Sequence, residues 1–150
     1  MSGSRPLRVF VDSNVLINAV VAKWGLNKAI LSICAAGICN LVLSVGVKEE
    51  VENALLVKVS PLEKVVGDEI LAGCDKFVFL ARPEVVPRPA KSKVDESRHL
   101  IRHQSDVPVL VSALACSPDW VITNNREHFN EDVAQRTGLR IGTPLEFFAA

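Results

Sequence analysis

The chain has 150 residues, of which 49% are hydrophobic, and its 17 Lys and Arg residues balance 17 Asp and Glu residues. This length is typical of one domain, so we predict a single domain over residues 1–150, and the composition excludes a disordered or fibrous protein. The balanced charge excludes a general electrostatic attraction to nucleic acid, so any such binding has to be local.

The start of the chain and its cysteines indicate a reducing compartment. Residues 1–6 hold no apolar segment of the kind found in secretion signals, and no apolar run reaches the roughly 18 residues that a membrane span needs. The cysteines at positions 34, 39, 74 and 116 form no Cys-x-x-Cys pair, which favours reduced thiols. We therefore expect a cytoplasmic protein without a membrane segment.

The first half of the chain alternates short apolar runs with helical patterns. Gly25 separates two of the helices, and Gly37 ends the second. The predicted elements, in chain order, are strand 7–11, helix 14–22, helix 26–36, strand 41–44, helix 47–57, helix 62–71 and strand 77–80.

The second half continues the alternation after prolines 83, 87 and 89, which predict an extended surface connection. The elements that follow are helix 94–102, helix 107–116, strand 120–123, helix 131–136 and strand 139–141. Strands that are apolar throughout and alternate with helices indicate an α/β fold with a mainly parallel central sheet. Such folds bind ligands beyond the carboxyl ends of their strands, so polar residues at those ends are the candidates for chemistry.

Asp12 and Asp106 both stand immediately before a predicted helix. Asp12 follows the first predicted strand directly, and Asp106 precedes the most apolar of the predicted helices. Either carboxylate can act as a helix cap, because it accepts from the free N–H groups of a first turn. Ser13 and Asn14 can cap the first helix equally well, however. Asp106 shares a helix face with apolar residues, where a carboxylate is costly to bury without a cation or hydrogen bonds.

Glu50 is the inward candidate among three acidic residues of one predicted helix. Apolar residues at positions 47, 51, 54 and 55 define the buried stripe of this helix at about 100° per residue. Glu49 lies nearly opposite the stripe and Glu52 well away from it, whereas Glu50 borders it. A border position also suits an ordinary salt bridge, so this pattern alone leaves both interpretations open.

Taken together, these motifs resemble the PIN domain over about residues 8–148. The motifs are VFVDSNVL at 9–16, EVENAL at 50–55, Asp106 with apolar residues at 109, 110, 113 and 114, VITNN at 121–125, and a closing strand and helix at 141–148. The resemblance implies a three-layer α/β/α PIN-like fold. By position, it implies that Asp12, Glu50 and Asp106 are the catalytic, metal-holding carboxylates.

The resemblance also implies supporting residues and a cofactor. The supporting positions are Ser13, Thr123, Asn125 and Glu127. Asn125 stands where the family commonly has a fourth acidic residue, which removes one negative charge. Carboxylates gathered within about 4 to 6 Å repel one another and raise each other's pKa values unless a cation lies among them. Mg²⁺ or Mn²⁺, which prefer oxygen ligands, are the expected cofactors.

The reaction implied by the resemblance is metal-dependent hydrolysis of RNA phosphodiester bonds by an endoribonuclease. Compact PIN proteins of this kind are similar to the toxins of bacterial or archaeal toxin–antitoxin pairs, which implies an antitoxin partner and a homodimer. The alternative is a catalytically weak or inactive PIN fold that binds RNA or protein, and Asn125 is the residue that favours it.

A local excess of basic residues over residues 82–102, six against three acidic ones, suggests RNA phosphate contacts. A solvated loop and helix face has the same composition, so this pattern also has a plain structural interpretation. Arg98 and Arg102 within this segment, and Arg126 after the strand at 120–123, are the predicted RNA-binding residues.

Two other chemistries fit less of the chain. His99 and His103, four apart on a predicted helix, suggest a zinc site, but no third ligand is evident. The sequence Asp12-Ser13-Asn14-Val15 is similar to the nucleophile motif of haloacid dehalogenase phosphatases, in which the Asp forms a covalent intermediate. That motif carries a second Asp where this chain has Asn14.

Overall fold

The computed structural model describes residues 5–150. Residues 1–4, part of the segment 1–6 that was considered for a secretion signal, lie outside the described residues. The strands are β1 (Leu7–Val11), β2 (Cys39–Ser44), β3 (Glu84–Val86), β4 (Trp120–Ile122) and β5 (Ile141–Gly142). The α-helices are α1 (Ser13–Val21), α2 (Leu26–Ala35), α3 (Val45–Val59), α4 (Lys64–Ala81), α5 (Lys91–Glu96), α6 (Val107–Cys116), α7 (Glu131–Thr137) and α8 (Pro144–Ala149). Short 3-10 turns occupy Arg98–Leu100 and Gln104–Asp106.

The five strands form a parallel sheet in the order β3-β2-β1-β4-β5. The chain runs outward from β1 through β2 to β3, and then returns to place β4 on the other side of β1. The carboxyl ends of β1 and β4 therefore flank the point where the strand order reverses, which is where open α/β sheets bind ligands. Asp12 and Thr123 follow these two strands directly.

Alternating side chains of the central strands enter two separate cores. In β1, Val9 and Val11 belong to one core and Phe10 to the other, and all three are fully buried. The first core packs α1, α2 and α3 against one face of the sheet, and the second packs α6 and α7 against the opposite face. The predicted three-layer α/β/α architecture with a parallel sheet is confirmed.

The predicted strand at 77–80 was wrong, because these residues form the last turns of α4. The buried and half-buried residues Leu71, Cys74, Phe77 and Ala81 recur every three to four positions, which is the period of a helix facing the first core. The third strand is instead β3, which lies within the proline-rich segment predicted to be an extended connection and pairs with β2. Its place at the sheet edge allows prolines on both sides.

The predicted helix at 94–102 also differs from the structure. The helix α5 ends at Glu96, and a 3-10 turn follows at Arg98–Leu100. Ile101 then has an extended backbone and is buried. His99 lies in the turn and His103 beyond it, so the two histidines do not share a helix face, and the zinc alternative loses its geometric basis.

Within residues 5–150, no single helix is both long enough and apolar enough to cross a membrane. The helices α1 and α2 reach that length and composition only as a pair, and they are bent by 93°. The four cysteines are free thiols, and Cys34 and Cys39 are buried. Burial, helped by Cys39, raises the pKa of Cys34 to about 12, so this thiol stays protonated near neutral pH.

Candidate active site at the carboxyl ends of β1 and β4

Asp12 lies at the end of β1, and both of its carboxylate oxygens are hydrogen-bonded. Oδ1 accepts from the Ser13 N–H at 2.8 Å, and Oδ2 accepts from the Thr123 hydroxyl at 2.8 Å. Burial raises the pKa of Asp12, the bonds from Thr123 and Ser13 oppose that rise, and the charges of Glu50 and Asp106 add to it. Asp12 therefore caps α1 and also lies within electrostatic reach of the two other predicted carboxylates.

Glu50 reaches the site through Ser13. The Ser13 hydroxyl donates to Oε2 of Glu50 at 2.8 Å, while its N–H donates to Asp12, so one residue links the two carboxylates. Glu49 pairs instead with an arginine of the β3–α5 loop, and Glu52 lines an apolar cavity between α3 and α4. Of the three acidic residues considered on α3, Glu50 is the one that the fold brings to Asp12.

Asp106 stands at the start of α6, but its side chain makes no capping bond to that helix. Oδ2 of Asp106 lies 2.7 Å from Nδ1 of His128, and the Asp106 N–H donates to the His103 carbonyl at 3.0 Å. The rings of His103 and His128 stack with centroids 3.4 Å apart and planes 14° from parallel. These three contacts connect Asp106, His103 and His128 to one another. The interpretation of Asp106 as a side-chain cap of α6 was therefore wrong.

The loop after β4 connects Asp12 to these three residues. Thr123 is fully buried, donates its hydroxyl to Asp12, and accepts from the Asn125 N–H at 3.0 Å. The Asn125 carbonyl accepts from the N–H of Phe129 at 3.0 Å, and the Phe129 ring is buried in the second core. Asn125 thus fixes both ends of the turn that carries His128 toward α6.

The other predicted site residues take more peripheral positions. Glu127 is exposed on the turn after β4. Arg126 points inward, where it donates to a main-chain carbonyl of its own turn at 2.5 Å and lies 3.4 Å from Glu146 of α8. Arg98 and Arg102 are exposed, and they line an open cavity beside α7 with a volume of about 530 Å³. Two of the three predicted RNA-binding arginines therefore face solvent, and the third holds α8.

The predicted carboxylates fit a divalent cation in donor type and charge. Among residues 5–150, no three His, Cys, Asp or Glu side chains already stand as a set of metal ligands. Carboxylate oxygens are nevertheless the donors that Mg²⁺ and Mn²⁺ prefer. Burial raises the pKa of Asp12, with smaller contributions from the charges of Glu50 and Asp106, and a cation beside these carboxylates would offset that cost.

Sequence reasoning missed His128, which contacts Asp106 across 22 positions of the chain. The one available signal was its place in the polar segment after a predicted strand, three residues beyond Asn125. The four-residue spacing pairs His103 with His99 instead, as zinc ligands or as a surface or RNA-contacting pair.

No protein-family model and no curated protein matches the chain, but solved structures do. VapBC2 from Rickettsia felis, bound to a DNA fragment from their promoter, matches at 19% identity and a TM-score of 0.60, over 91% of this chain and 98% of that one. PAE2754 from Pyrobaculum aerophilum matches at 15% identity and 0.63, over 99% and 100%. FitAcB from Neisseria gonorrhoeae matches at 14% identity and 0.63, over 91% and 98%. The likeness confirms the predicted PIN-type fold.

Proposed function

We propose that this chain, which has a PIN-type fold, is a metal-dependent endoribonuclease that hydrolyses RNA phosphodiester bonds. The observation that carries the proposal is the link through Ser13, which donates its N–H to Asp12 and its hydroxyl to Glu50, each at 2.8 Å. Burial raises the pKa of Asp12, two hydrogen bonds oppose the rise, and the charges of Glu50 and Asp106 add to it. Acidic residues far apart in sequence thus act on one another beyond the ends of parallel strands, where such folds bind ligands.

In this proposal Asp12 and Asp106 hold a Mg²⁺ or Mn²⁺ ion, and Glu50 binds the same ion or orients the attacking water. When bound, such an ion activates water and stabilises negative charge on the phosphoryl and leaving oxygens. Ser13 and Thr123 hold the Asp12 carboxylate by its two oxygens, so that it keeps one orientation while substrate enters.

The remaining supporting residues act at a distance from the reacting phosphate. Asn125 holds the Thr123 hydroxyl in place through its N–H. Glu127, exposed on the same turn, adds a negative charge close to the site. Arg98 and Arg102 are proposed to bind the RNA backbone, because both are exposed on one open cavity in a chain whose net charge is zero; Arg98 also pairs with Asp95.

We also propose protein partners, namely a cognate antitoxin and a second copy of the chain. The likeness to VapBC2 and FitAcB supports a toxin–antitoxin setting. Exposed apolar side chains on α3 and α4, among them Val57, Val65 and Phe79, are consistent with a face that another protein covers. Multi-angle light scattering of the purified chain tests the homodimer, since a monomer at high concentration would contradict it.

A second candidate is a binding module with a PIN-type fold that has lost turnover. It is favoured by Asn125, an amide where the family commonly has an acid, and by Asp106, whose carboxylate contacts His128. Calorimetric titration with Mn²⁺ separates the two candidates, because a scaffold has no need of the ion and the proposed enzyme requires it.

The decisive experiment is cleavage of RNA in the presence of Mn²⁺ by the wild-type chain, by Asp106→Asn, and by Asp68→Asn. The last is a matched control, since Asp68 is an exposed carboxylate on α4. We expect cleavage by the wild type and Asp68→Asn, and loss of cleavage with Asp106→Asn. Equal cleavage by all three would point to a contaminating nuclease or another site and would contradict the proposal.

A further inference from the structure

Asp106, His103 and His128 form a closed set of contacts that the proposed reaction leaves unexplained. The bond from His128 to Asp106 is 2.7 Å long, the imidazole rings stack, and the main chain of Asp106 is bonded to that of His103. The side chains of Asp106 and His128 are 22% and 27% exposed, so their contact is partly shielded from water.

The orientation of the Asp106 carboxylate depends on this contact. The last torsion of an Asp side chain is broad, so a carboxylate with no partner samples many orientations. A capping bond to α6 would restrict it, but Asp106 makes none. Among residues 5–150, His128 is the side chain that bonds to this carboxylate. Because a carboxylate accepts, Nδ1 of His128 donates, and the bond occupies Oδ2 and leaves Oδ1.

The His128 ring is itself held from two directions. The turn from Asn125 to Phe129 fixes its main chain, because the Asn125 carbonyl accepts from the Phe129 N–H and the Phe129 ring is buried. The stacked ring of His103 covers one face of the imidazole. A donor restrained in this way can hold a carboxylate in one orientation without touching the substrate.

We propose that His128 is a positioning residue, which holds Asp106 by Oδ2 so that Oδ1 is presented to a divalent cation. His103 supports it by holding the imidazole ring through stacking. This inference rests on the proposed function, since it requires Asp106 to bind a cation. Groups that orient a metal ligand commonly change metal affinity by about 10- to 100-fold when they are removed.

Two substitutions separate the hydrogen bond from the ring. His128→Asn keeps a donor at the Nδ1 position, because the nitrogen of either side chain is bonded to Cγ, but it removes the ring. His128→Phe keeps a ring that can stack on His103 but removes the donor. His99→Asn is the matched control, since His99 is an exposed histidine in the 3-10 turn.

The dissociation constant of Mn²⁺ for the metal-free chain, measured by isothermal titration calorimetry, tests the proposal. We expect His128→Phe to weaken binding by about 10- to 100-fold, His128→Asn to weaken it less because it keeps the donor and loses only the stacking on His103, and His99→Asn to leave it unchanged. Circular dichroism melting of each variant shows whether the fold is kept. If His128→Phe does not fold, His128→Leu replaces it, because Leu also has no hydrogen-bond donor.

The outcomes distinguish a failure of this inference from a failure of the proposed function. Wild-type affinity in His128→Phe, together with lost binding in Asp106→Asn, would overturn the positioning role and leave the nuclease proposal standing. A wild-type chain that binds no Mn²⁺ would overturn both.

The ¹⁵N NMR signals of the histidine imidazoles test the contact itself without metal. Replacement of Asp106 by Asn is expected to shift the His128 signals, because the acceptor of its Nδ1–H changes. Asp12→Asn is expected to leave them unchanged. His128 signals that do not respond to Asp106→Asn would mean that the contact is not formed in solution, and would overturn the proposal.

Discussion

The Thr123 hydroxyl, just after β4, donates a 2.8 Å hydrogen bond to Oδ2 of Asp12, just after the neighbouring strand β1. The same hydroxyl oxygen accepts from the N–H of Asn125. Thr123 is fully buried, so neither bond can be replaced readily by water. One hydroxyl therefore holds both the first carboxylate of the proposed site and the start of the turn that carries His128.

Replacement of Thr123 by Val should weaken Mn²⁺ binding and destabilise the fold. Val has a similar shape but leaves Oδ2 of Asp12 and the Asn125 N–H without their partner, at a cost of about 1–3 kcal/mol. Calorimetry with Mn²⁺ and urea unfolding measure the two effects. Thr137→Val is the control, because the Thr137 hydroxyl bonds to the main chain of α7, and it should leave Mn²⁺ affinity unchanged.

Replacement of Asp12 by Asn should stabilise the metal-free protein at neutral pH. Burial, together with the charges of Glu50 and Asp106, keeps the pKa of Asp12 above its usual value of 3.8 despite two hydrogen bonds. A raised pKa contributes stability that is fully present below pH 3.8 and is lost as the pH rises through the folded-state value. Asn carries no charge, so it avoids this loss, and the gain should shrink as the pH falls below 3.8.

Asp119→Asn is the control for Asp12→Asn, because the pKa of Asp119 is shifted in the opposite direction. The hydrogen bond from Arg5, followed by that from the Arg8 N–H, lowers the pKa of Asp119 from its usual value of 3.8. Its contribution is present above that pH and is lost as the pH falls through the lowered value, so Asp119→Asn should destabilise the protein at pH 7. Thermal melting in EDTA measures both variants, and a lower melting temperature for Asp12→Asn at pH 7 would contradict the electrostatic argument.

Arg102 and Arg126 should affect different properties when each is replaced by Ala. Arg102 is exposed, so its loss should weaken RNA binding and reduce the magnitude of the logarithmic salt dependence by about 0.7 for a single-stranded RNA. Arg126 bonds a main-chain carbonyl and lies beside Glu146, so its loss should lower stability and leave the salt dependence unchanged. Fluorescence anisotropy in an Asp106→Asn background measures binding without cleavage, and identical salt slopes for all arginine variants would exclude Arg102 from the RNA contact.

Gly142 in β5 should not tolerate a side chain. A Cβ atom there would lie 2.8 Å from the Trp120 ring and 3.2 Å from Cβ of Glu146, so Gly142→Ala should cost about 1–3 kcal/mol of unfolding free energy. Gly73→Ala is the control, because a Cβ at this position of α4 meets nothing within 4 Å. That substitution should stabilise the helix by about 0.5–1 kcal/mol. Urea denaturation measures both, and equal stability of the two variants would contradict the packing argument.

The sequence was most informative where local pattern and tertiary environment agree. Helix α6 was predicted with its observed bounds, because its residues are apolar on most faces and Pro108 suits a first turn. Strand β1 was predicted with its observed bounds as well, since its apolar run is buried on both faces of the sheet. The angle to the buried stripe separates Glu50 from Glu49 and Glu52 as the inward residue, but the structure leaves Glu50 exposed, bonded to the Ser13 hydroxyl beside Asp12.

The errors arose where the pattern was ambiguous or the contact was distant. The run at 77–80 is apolar at every position, so its hydrophobic period does not distinguish a strand from a helix. These residues are helical because they continue the buried stripe of α4. The contact of His128 with Asp106 depends on how the loop after β4 turns back, which the hydrogen bonds of Asn125 determine. No spacing rule within one element connects those two residues.

The placement of the three carboxylates has a mechanical consequence. Asp12 extends from β1, whose main chain is bonded to strands on both sides and whose side chains enter both cores. Glu50 extends from the second turn of α3 and Asp106 from the N-terminal end of α6, and these two helices pack on opposite faces of the sheet. A cation among the three carboxylates would therefore contact oxygens from one strand end and from helices on both faces of the sheet. Amide hydrogen exchange should accordingly be slowest in β1, and a bound ion should slow it chiefly at the beginnings of α3 and α6.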